Sequence, residues 1–220
     1  MLAALAWGAA AGSIGPRPSR VARAATESAA RSRPPGLDAR VQAYLDSKRG
    51  EWRDLNVPYD DGRALHDLIV KKGFTRGLEI GTSTGHSGIW IAWAMSKTGG
   101  KLVTIEIDPR RHKAGLASFE AAGVAPYVDA RLGDAHQLVK QLKGPFDFVF
   151  SDADKEWYTQ YFKDLEDKMT VGGCFTAHNV LDGFAGIDEF LRTVRARPSF
   201  GTTIERTSPS GISVSCRIRN

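Results

Sequence analysis

The chain has 220 residues, 42% of them hydrophobic and 25% charged, with a formal net charge of +5. That is enough apolar material for one substantial core, most simply a single domain. The charge is unevenly placed: residues 1–36 carry Arg17, Arg20, Arg23, Arg31 and Arg33 against Glu27 alone, a net of +4 that leaves +1 for residues 37–220. A nearly neutral body offers no basic face for nucleic acid, and no apolar run has the length that spans a bilayer.

Leu2 to Ile14 is small and apolar, and a Pro/Arg/Ser/Ala stretch follows as far as Ser32-Arg33-Pro34-Pro35-Gly36. Ala22-Arg23-Ala24 offers a small-x-small cleavage site, yet no basic residue precedes the apolar segment. Residues 1–36 therefore read as a disordered leader or a signal segment, and residues 37–220 as the folded domain. The expected location is cytoplasmic, with export as the alternative if residues 1–24 are a signal peptide.

From Leu37 the chain is regularly patterned. Leu37, Val41, Tyr44 and Leu45 have helical spacing. Asp60 and Asp61 open a second amphipathic helix through Ala64, Leu65, Leu68, Ile69 and Val70 that stops at Gly73. Gly77 to Gly81 is a short apolar strand breaking into a glycine turn, and Ser87 to Met95 an apolar helix. Leu102 to Ile107, Val128 to Leu132, Phe146 to Ser151 and Cys174 to Ala177 read as further strands, the last behind a Gly172-Gly173 turn. Helices are expected over Lys113 to Ala122, Ala135 to Leu142, Trp157 to Met169 and Ile187 to Arg195. Thr202 to Arg206 and Ile212 to Ile218, around Ser208-Pro209-Ser210-Gly211, read as an antiparallel hairpin. Strands alternating with helices imply an α/β fold, a doubly wound and mostly parallel sheet, with the hairpin as an antiparallel edge that brings it to seven strands. Cys174 and Cys216, without a CxxC or a zinc-like Cys/His cluster, sit in apolar runs and read as buried thiols.

Four strand ends carry chemistry. Glu79-Ile80-Gly81-Thr82-Ser83-Thr84-Gly85-His86-Ser87 joins the first strand to a helix, so the backbone can approach a ligand and the helix start supplies free N–H donors. Its spacing is G-x-x-x-G, which argues against a pyrophosphate-bearing dinucleotide and suits a ligand with a small charged tail. Glu106 ends the next strand, where an acid can accept both hydroxyls of a ribose. Asp134, in Gly133-Asp134-Ala135, ends the third and could accept from an exocyclic amine. Phe146 to Lys155, Phe-Asp-Phe-Val-Phe-Ser-Asp-Ala-Asp-Lys, is a buried strand ending in Asp152, Asp154 and Lys155, placed to hold a cation or move a proton; Asp154 could equally be a helix N-cap. Such ends face the crevice in which open α/β sheets bind ligands.

These segments, with Thr104 to Asp108, Gly172-Gly173, His178-Asn179-Val180-Leu181 and Gly211-Ile212-Ser213-Val214, resemble the class I S-adenosylmethionine-dependent O-methyltransferases of the catechol and caffeoyl-CoA type, a Rossmann-like family that is generally divalent-metal dependent. The resemblance runs over roughly residues 40–218 in the family's order. It implies that Glu79, Gly81, Ser83 and Ser87 line the methionine end of S-adenosylmethionine, with Val57 reaching it by backbone. Glu106 would hold the ribose, Asp134 and Ala135 the adenine side, and Asp154 would sit beside the cofactor. Asp152 and Asn179 match metal ligands, and Lys155 matches the base that deprotonates the acceptor hydroxyl. The implied reaction is methyl transfer to a hydroxyl of a small phenolic or catechol-like acceptor, assisted by a divalent metal; the family often forms homodimers.

Residue 178 departs from the pattern, which has aspartate before the asparagine. His178 can ligate a softer divalent metal than magnesium, manganese among them. It can instead act as the general base, or it can simply hydrogen-bond a neighbouring carboxylate where the metal site has weakened. His66, His86, His112 and His136 read as structural or solvated. Trp52, Trp157, Tyr158 and Phe184 could wall an aromatic pocket. A metal-independent methyltransferase, a non-catalytic cofactor-binding protein of the same fold and a nicotinamide oxidoreductase are the competing readings.

Overall fold

A computed structural model describes residues 33–219; most of the segment read as a leader or signal lies outside the described residues. Helices α1 (Leu37–Ser47) and α2 (Tyr59–Lys72) precede an alternation of β1 (Arg76–Ile80), α3 (His86–Thr98), β2 (Lys101–Glu106), α4 (Pro109–Ala122), β3 (Val128–Leu132), α5 (Ala135–Gln141), β4 (Phe146–Ser151), α6 (Tyr158–Leu165), β5 (Met169–His178), α7 (Ile187–Arg195), β6 (Phe200–Glu205) and β7 (Ile212–Arg217). The seven strands lie in the order β3-β2-β1-β4-β5-β7-β6. All pairings are parallel except β5 with β7 and β6 with β7. This is the doubly wound, mostly parallel seven-stranded sheet that the alternation of elements predicts.

Period-two alternation divides the core between the two faces of the sheet. Phe148 and Phe150 join one cluster with Val41, Leu65, Ile69, Trp90 and Phe119 from α1 to α4. Val149, Leu78 and Ile105 join the other, with Val139, Tyr161, Phe162 and Phe190 from α5 to α7. Helix α3 is buried nearly all round, because α2 and α4 cover the sides that the sheet leaves free. Its apolar sequence follows from that position.

Three local expectations need correction. The helix expected over Trp157 to Met169 is α6 alone, flanked by single 3₁₀ turns at Lys155–Trp157 and Glu166–Lys168. Gly172-Gly173 is not a turn ahead of the strand; β5 runs through it, and the register against β4 shifts between Phe146 and Phe148. The close approach explains the composition, since a Cβ on Gly173 would lie 3.0 Å from the Asp147 Cα.

The third correction concerns the cysteines. Cys174 and Cys216 face each other across the antiparallel pair β5 and β7, and they form a disulfide rather than remaining thiols. Strand-like sequence around each predicts burial but cannot reveal that the two strands are neighbours. With a sequence separation of 42 between the cysteines, chain-entropy arguments give the bond about 3–4 kcal/mol of stability. Urea unfolding of the Cys174→Ala/Cys216→Ala variant should show that loss. An unchanged midpoint would mean that hydrogen bonding alone fixes β7.

Candidate functional site

Strand order reverses between β1 and β4, and the crevice opens at their carboxyl ends. The turn after β1 forms one wall. Gly81 has φ 97°, and a Cβ there would stand 2.8 Å from the Asp152 carbonyl oxygen, so the strand end of β4 leaves room for glycine only. Ser83, at φ 48°, donates its N–H to Glu106 Oε2 at 2.7 Å, and its hydroxyl donates to the Asp54 carbonyl. The second oxygen of Glu106 accepts from the Asp108 N–H at 2.9 Å. Two backbone donors thus fix this carboxylate without a counter-ion.

The crevice encloses about 740 Å³. Of the residues expected at the cofactor, Gly81, Ser83, Glu106, Asp134, Ala135 and Asp154 line it. Ile107, 66% exposed although apolar, lies beside them on the wall, offering with Ala135 an apolar seat for a base. S-adenosylmethionine fits this arrangement: hydroxyl acceptors at Glu106, an amine acceptor at Asp134, and a close-packed glycine turn where its amino-acid tail would lie.

Val57, Glu79 and Ser87 do not line the crevice. They form the layer behind it. The Val57 carbonyl faces His86 Nδ1 at 2.9 Å, while Trp90 Nε1 donates to His86 Nε2 at 3.1 Å. Burial keeps His86 neutral and brings its pKa down to about 4, in keeping with its structural reading. Glu79 is fully buried and accepts from Ser87 Oγ and Thr104 Oγ1, both at 2.6 Å. Loss of solvation outweighs those two donors and raises its pKa to about 8.

Sequence reasoning passed over several residues at this site. His136, read as structural or solvated, lines the crevice; its Nε2 lies 2.9 Å from Asp154 Oδ2 and its ring stacks on Trp157 with centroids 3.7 Å apart. Tyr161 donates to the other Asp154 oxygen at 2.8 Å. Asp154 therefore makes no N-cap hydrogen bond. Arg111 spans the mouth by a fork to Asp54, at 3.1 and 2.9 Å. His136 could have been suspected from its place two residues after Asp134; Arg111 has no local signature.

The opposite wall holds the charged strand end. Lys155 Nζ donates to Asp152 Oδ1 at 2.6 Å and to the Ala153 carbonyl at 3.0 Å. His178, 3% exposed, directs Nδ1 at Asp152 Oδ2 from 3.5 Å, an ion-pair separation rather than a good hydrogen bond. Its Nε2 meets Asp61 Oδ2 at 2.8 Å. Asp61, from the first turn of α2, is completely buried and also accepts from Ser208 Oγ at 2.6 Å and from the Thr207 hydroxyl. Burial opposes charge on both partners. For Asp61 the donors His178, Ser208 and Thr207 win, and the carboxyl falls below its usual range. For His178 the close approach of the Asp152 and Asp61 carboxylates wins, and the imidazole rises to about 9.

Asp152, His178 and Asn179 are the residues that would hold a divalent metal. Asn179, at φ 58°, turns its amide to Asp182 Oδ2 at 2.7 Å. Lys155 holds Asp152 Oδ1, and Asp61 takes His178 Nε2, leaving the buried Nδ1 without a hydrogen-bond partner, 3.5 Å from Asp152 Oδ2. No three His, Cys, Asp or Glu side chains among the described residues are grouped to hold an ion. The Nε2 contact is the hydrogen bond to a neighbouring carboxylate that one of the three readings of His178 expects, and that carboxylate is Asp61.

Among known proteins, the O-methyltransferase family profile matches residues 38–189. A catechol O-methyltransferase from Niastella koreensis is 39% identical over 139 residues, 61% of this chain and 62% of that protein. Caffeoyl-CoA O-methyltransferase 1 from Eucalyptus globulus is 34% identical over 135 residues, 59% of this chain and 54% of that protein. The matched stretch thus spans less than two thirds of these curated relatives. The solved structure of the O-methyltransferase TomG from Streptomyces achromogenes, in complex with SAM, aligns with TM-score 0.70 at 27% identity, covering 86% of this chain and 92% of that one. No helix among the described residues is long and apolar enough to cross a membrane.

The buried Glu79 makes stability depend on pH in a defined direction. Its pKa is higher folded than unfolded, so the unfolded chain releases the proton first and stability falls as pH rises from about 4.5 to about 8. Glutamine cannot ionise. The stability of Glu79→Gln relative to the parent should therefore rise over that window, by on the order of 5 kcal/mol, as read by urea unfolding at pH 4.5 and 8.5. A difference that does not change with pH would show that Glu79 ionises alike in both states.

Proposed function

Because the chain belongs to the O-methyltransferase family, we propose that it transfers a methyl group from S-adenosylmethionine to a hydroxyl of a small phenolic acceptor. The observation that carries this reading is one crevice holding both halves of the chemistry: Glu106, Asp134 and the Gly81 turn on one side, Lys155 and Asp152 on the other. When bound, the cofactor supplies an electrophilic methyl carbon on a sulfonium, which leaves as a thioether when the acceptor oxygen displaces it. The chain's own task is to align that oxygen and take its proton.

Lys155 is the candidate base. In its amine form it accepts the hydroxyl proton, and Asp152, 2.6 Å away, steadies the ammonium that results. Aromatic acceptors suit the remaining wall, where Phe184 and Leu55 line the crevice with 51% and 72% of their surface exposed. The names of the catechol and caffeoyl-CoA relatives support a hydroxylated aromatic ring.

Two measurements test the reading. Titration calorimetry should show S-adenosylhomocysteine binding that Asp134→Ala weakens. With labelled S-adenosylmethionine and a panel of catechols and phenols, label should pass to an acceptor. Lys155→Met should lower kcat by at least about 100-fold without changing the affinity for S-adenosylhomocysteine. Absence of transfer to every acceptor, with cofactor binding intact, defeats the proposal.

A further inference from the structure

The carboxyl edge of the sheet holds the crevice; the amino edge carries a second cavity, of about 430 Å³. The shortness of helix α5 accounts for it. Its seven residues extend about 10 Å. The five and six residues of β1 and β2 extend about 17–20 Å, so this crossover leaves the starts of both strands uncovered on its face. Val103, Leu142 and Phe146 form the apolar floor of the cavity, and Arg76, Lys101, Arg131 and Lys143 are its charged residues. No carboxylate among the described residues lines it.

Arg131 is paired, with Asp129 Oδ2 at 2.7 Å. Among the described residues, Arg76, Lys101 and Lys143 make no ion pair. The acid nearest to them on β4, Asp147, is already engaged: its two oxygens accept from the Thr75 and Arg76 N–H groups, each at 2.8 Å. The Arg76 guanidinium donates instead to the Gly144 carbonyl at 3.3 Å. Arg76 and Lys101 are moreover register partners at the start of the parallel pair β1 and β2, so two like charges stand side by side. Such an arrangement costs stability, and local rules of this kind are broken chiefly where a site requires it. Cations at the carboxyl end of a helix are expected, and Lys168 has that duty for α5, donating to the Val139 and Lys140 carbonyls at 3.0 Å. Arg76 and Lys101 begin strands and have no such duty.

We propose that this cavity is a binding site for a small phosphorylated molecule, separate from the catalytic crevice. Three unpaired cations around one concavity call for a ligand with more than one negative charge. A phosphate ester carries about −1.5 to −2 at neutral pH, whereas a monocarboxylate carries a single charge. The floor of Val103, Leu142 and Phe146 gives an apolar or planar body on that ester a surface to lie against, and the volume falls within the range of small-molecule sites. A nucleic acid or a lipid surface would call for an extended basic face. Here residues 37–220 carry a net charge of only +1, and the unpaired cations are gathered around a hollow.

Titration calorimetry of the full chain with phenyl phosphate and with inorganic phosphate, at about 0.15 M salt to screen diffuse attraction, tests the site without any turnover. Phenyl phosphate should bind one to one with a Kd of about 1 mM or tighter, and inorganic phosphate more weakly, because it has no body to reach the floor. Lys101→Gln and Arg76→Gln should each weaken phenyl phosphate by about 10-fold or more, while Asp134→Ala, in the crevice, should leave it unchanged. Both substitutions fall on exposed strand starts; if neither variant folds, Lys143→Gln, outside every helix and strand, serves in their place. Failure of phenyl phosphate to saturate, or an affinity that these substitutions do not change, would overturn the proposal. Loss of binding in Asp134→Ala would place the phosphate in the crevice and overturn it as well. So would a single-stranded oligonucleotide, or vesicles of phosphatidylserine, that bind through Arg76 and Lys101 when phenyl phosphate does not. If no acceptor is methylated, the proposed function fails, and this titration still decides the second site.

Discussion

Reversal of strand order between β1 and β4 is the constraint on which the site depends. Parallel strands deliver all their carboxyl ends to one edge of the sheet, and at the reversal the flanking connections part in opposite directions and leave a crevice. Everything else follows from filling it. The Gly81 turn is pressed onto the Asp152 backbone because β1 and β4 are neighbours. Glu106 is anchored by the Ser83 N–H because β2 lies on the other side of β1. The charged groups of β4 and β5 then occupy the far wall.

On that wall, desolvation decides protonation. Asp61 and His178 are both hidden from water, and each is charged only because the other, and a few hydroxyls, are fixed around it. Glu79 shows the contrary outcome a short distance away: two hydroxyl donors do not compensate its burial, and its proton is held up to about pH 8. The difference lies in the partner. An imidazole gives Asp61 a full opposite charge, while serine and threonine offer Glu79 only dipoles.

Much of this was legible in the sequence because it is local. The Glu79 to Ser87 turn, Glu106, Asp134 and the Asp152 to Lys155 strand end each announce themselves within a few residues, and the alternation of strands and helices orders them along one edge. What was not legible is contact between distant segments. Asp61 looks like an acid in the first turn of a helix, which it is; nothing nearby says that it ends against residue 178. The disulfide likewise appears only once β7 is laid beside β5. Glu79 and Ser87 were assigned to the cofactor wall, whereas their side chains pack one layer deeper, since a one-dimensional motif does not distinguish the lining of a cavity from its backing. Gly172-Gly173 misled in the other direction: paired glycines resemble a turn, but β5 uses them to pass close to Asp147.

The bond between Cys174 and Cys216 has a consequence beyond the edge of the sheet. The segment it closes contains His178 on one side and Thr207 and Ser208 on the other. Two walls of the Asp61 shell thus belong to one covalent ring, which keeps them at a high effective concentration for each other whether or not α2 is docked. The Asp61 carboxylate of α2 is thus buried against one cross-linked segment rather than against two independent ones.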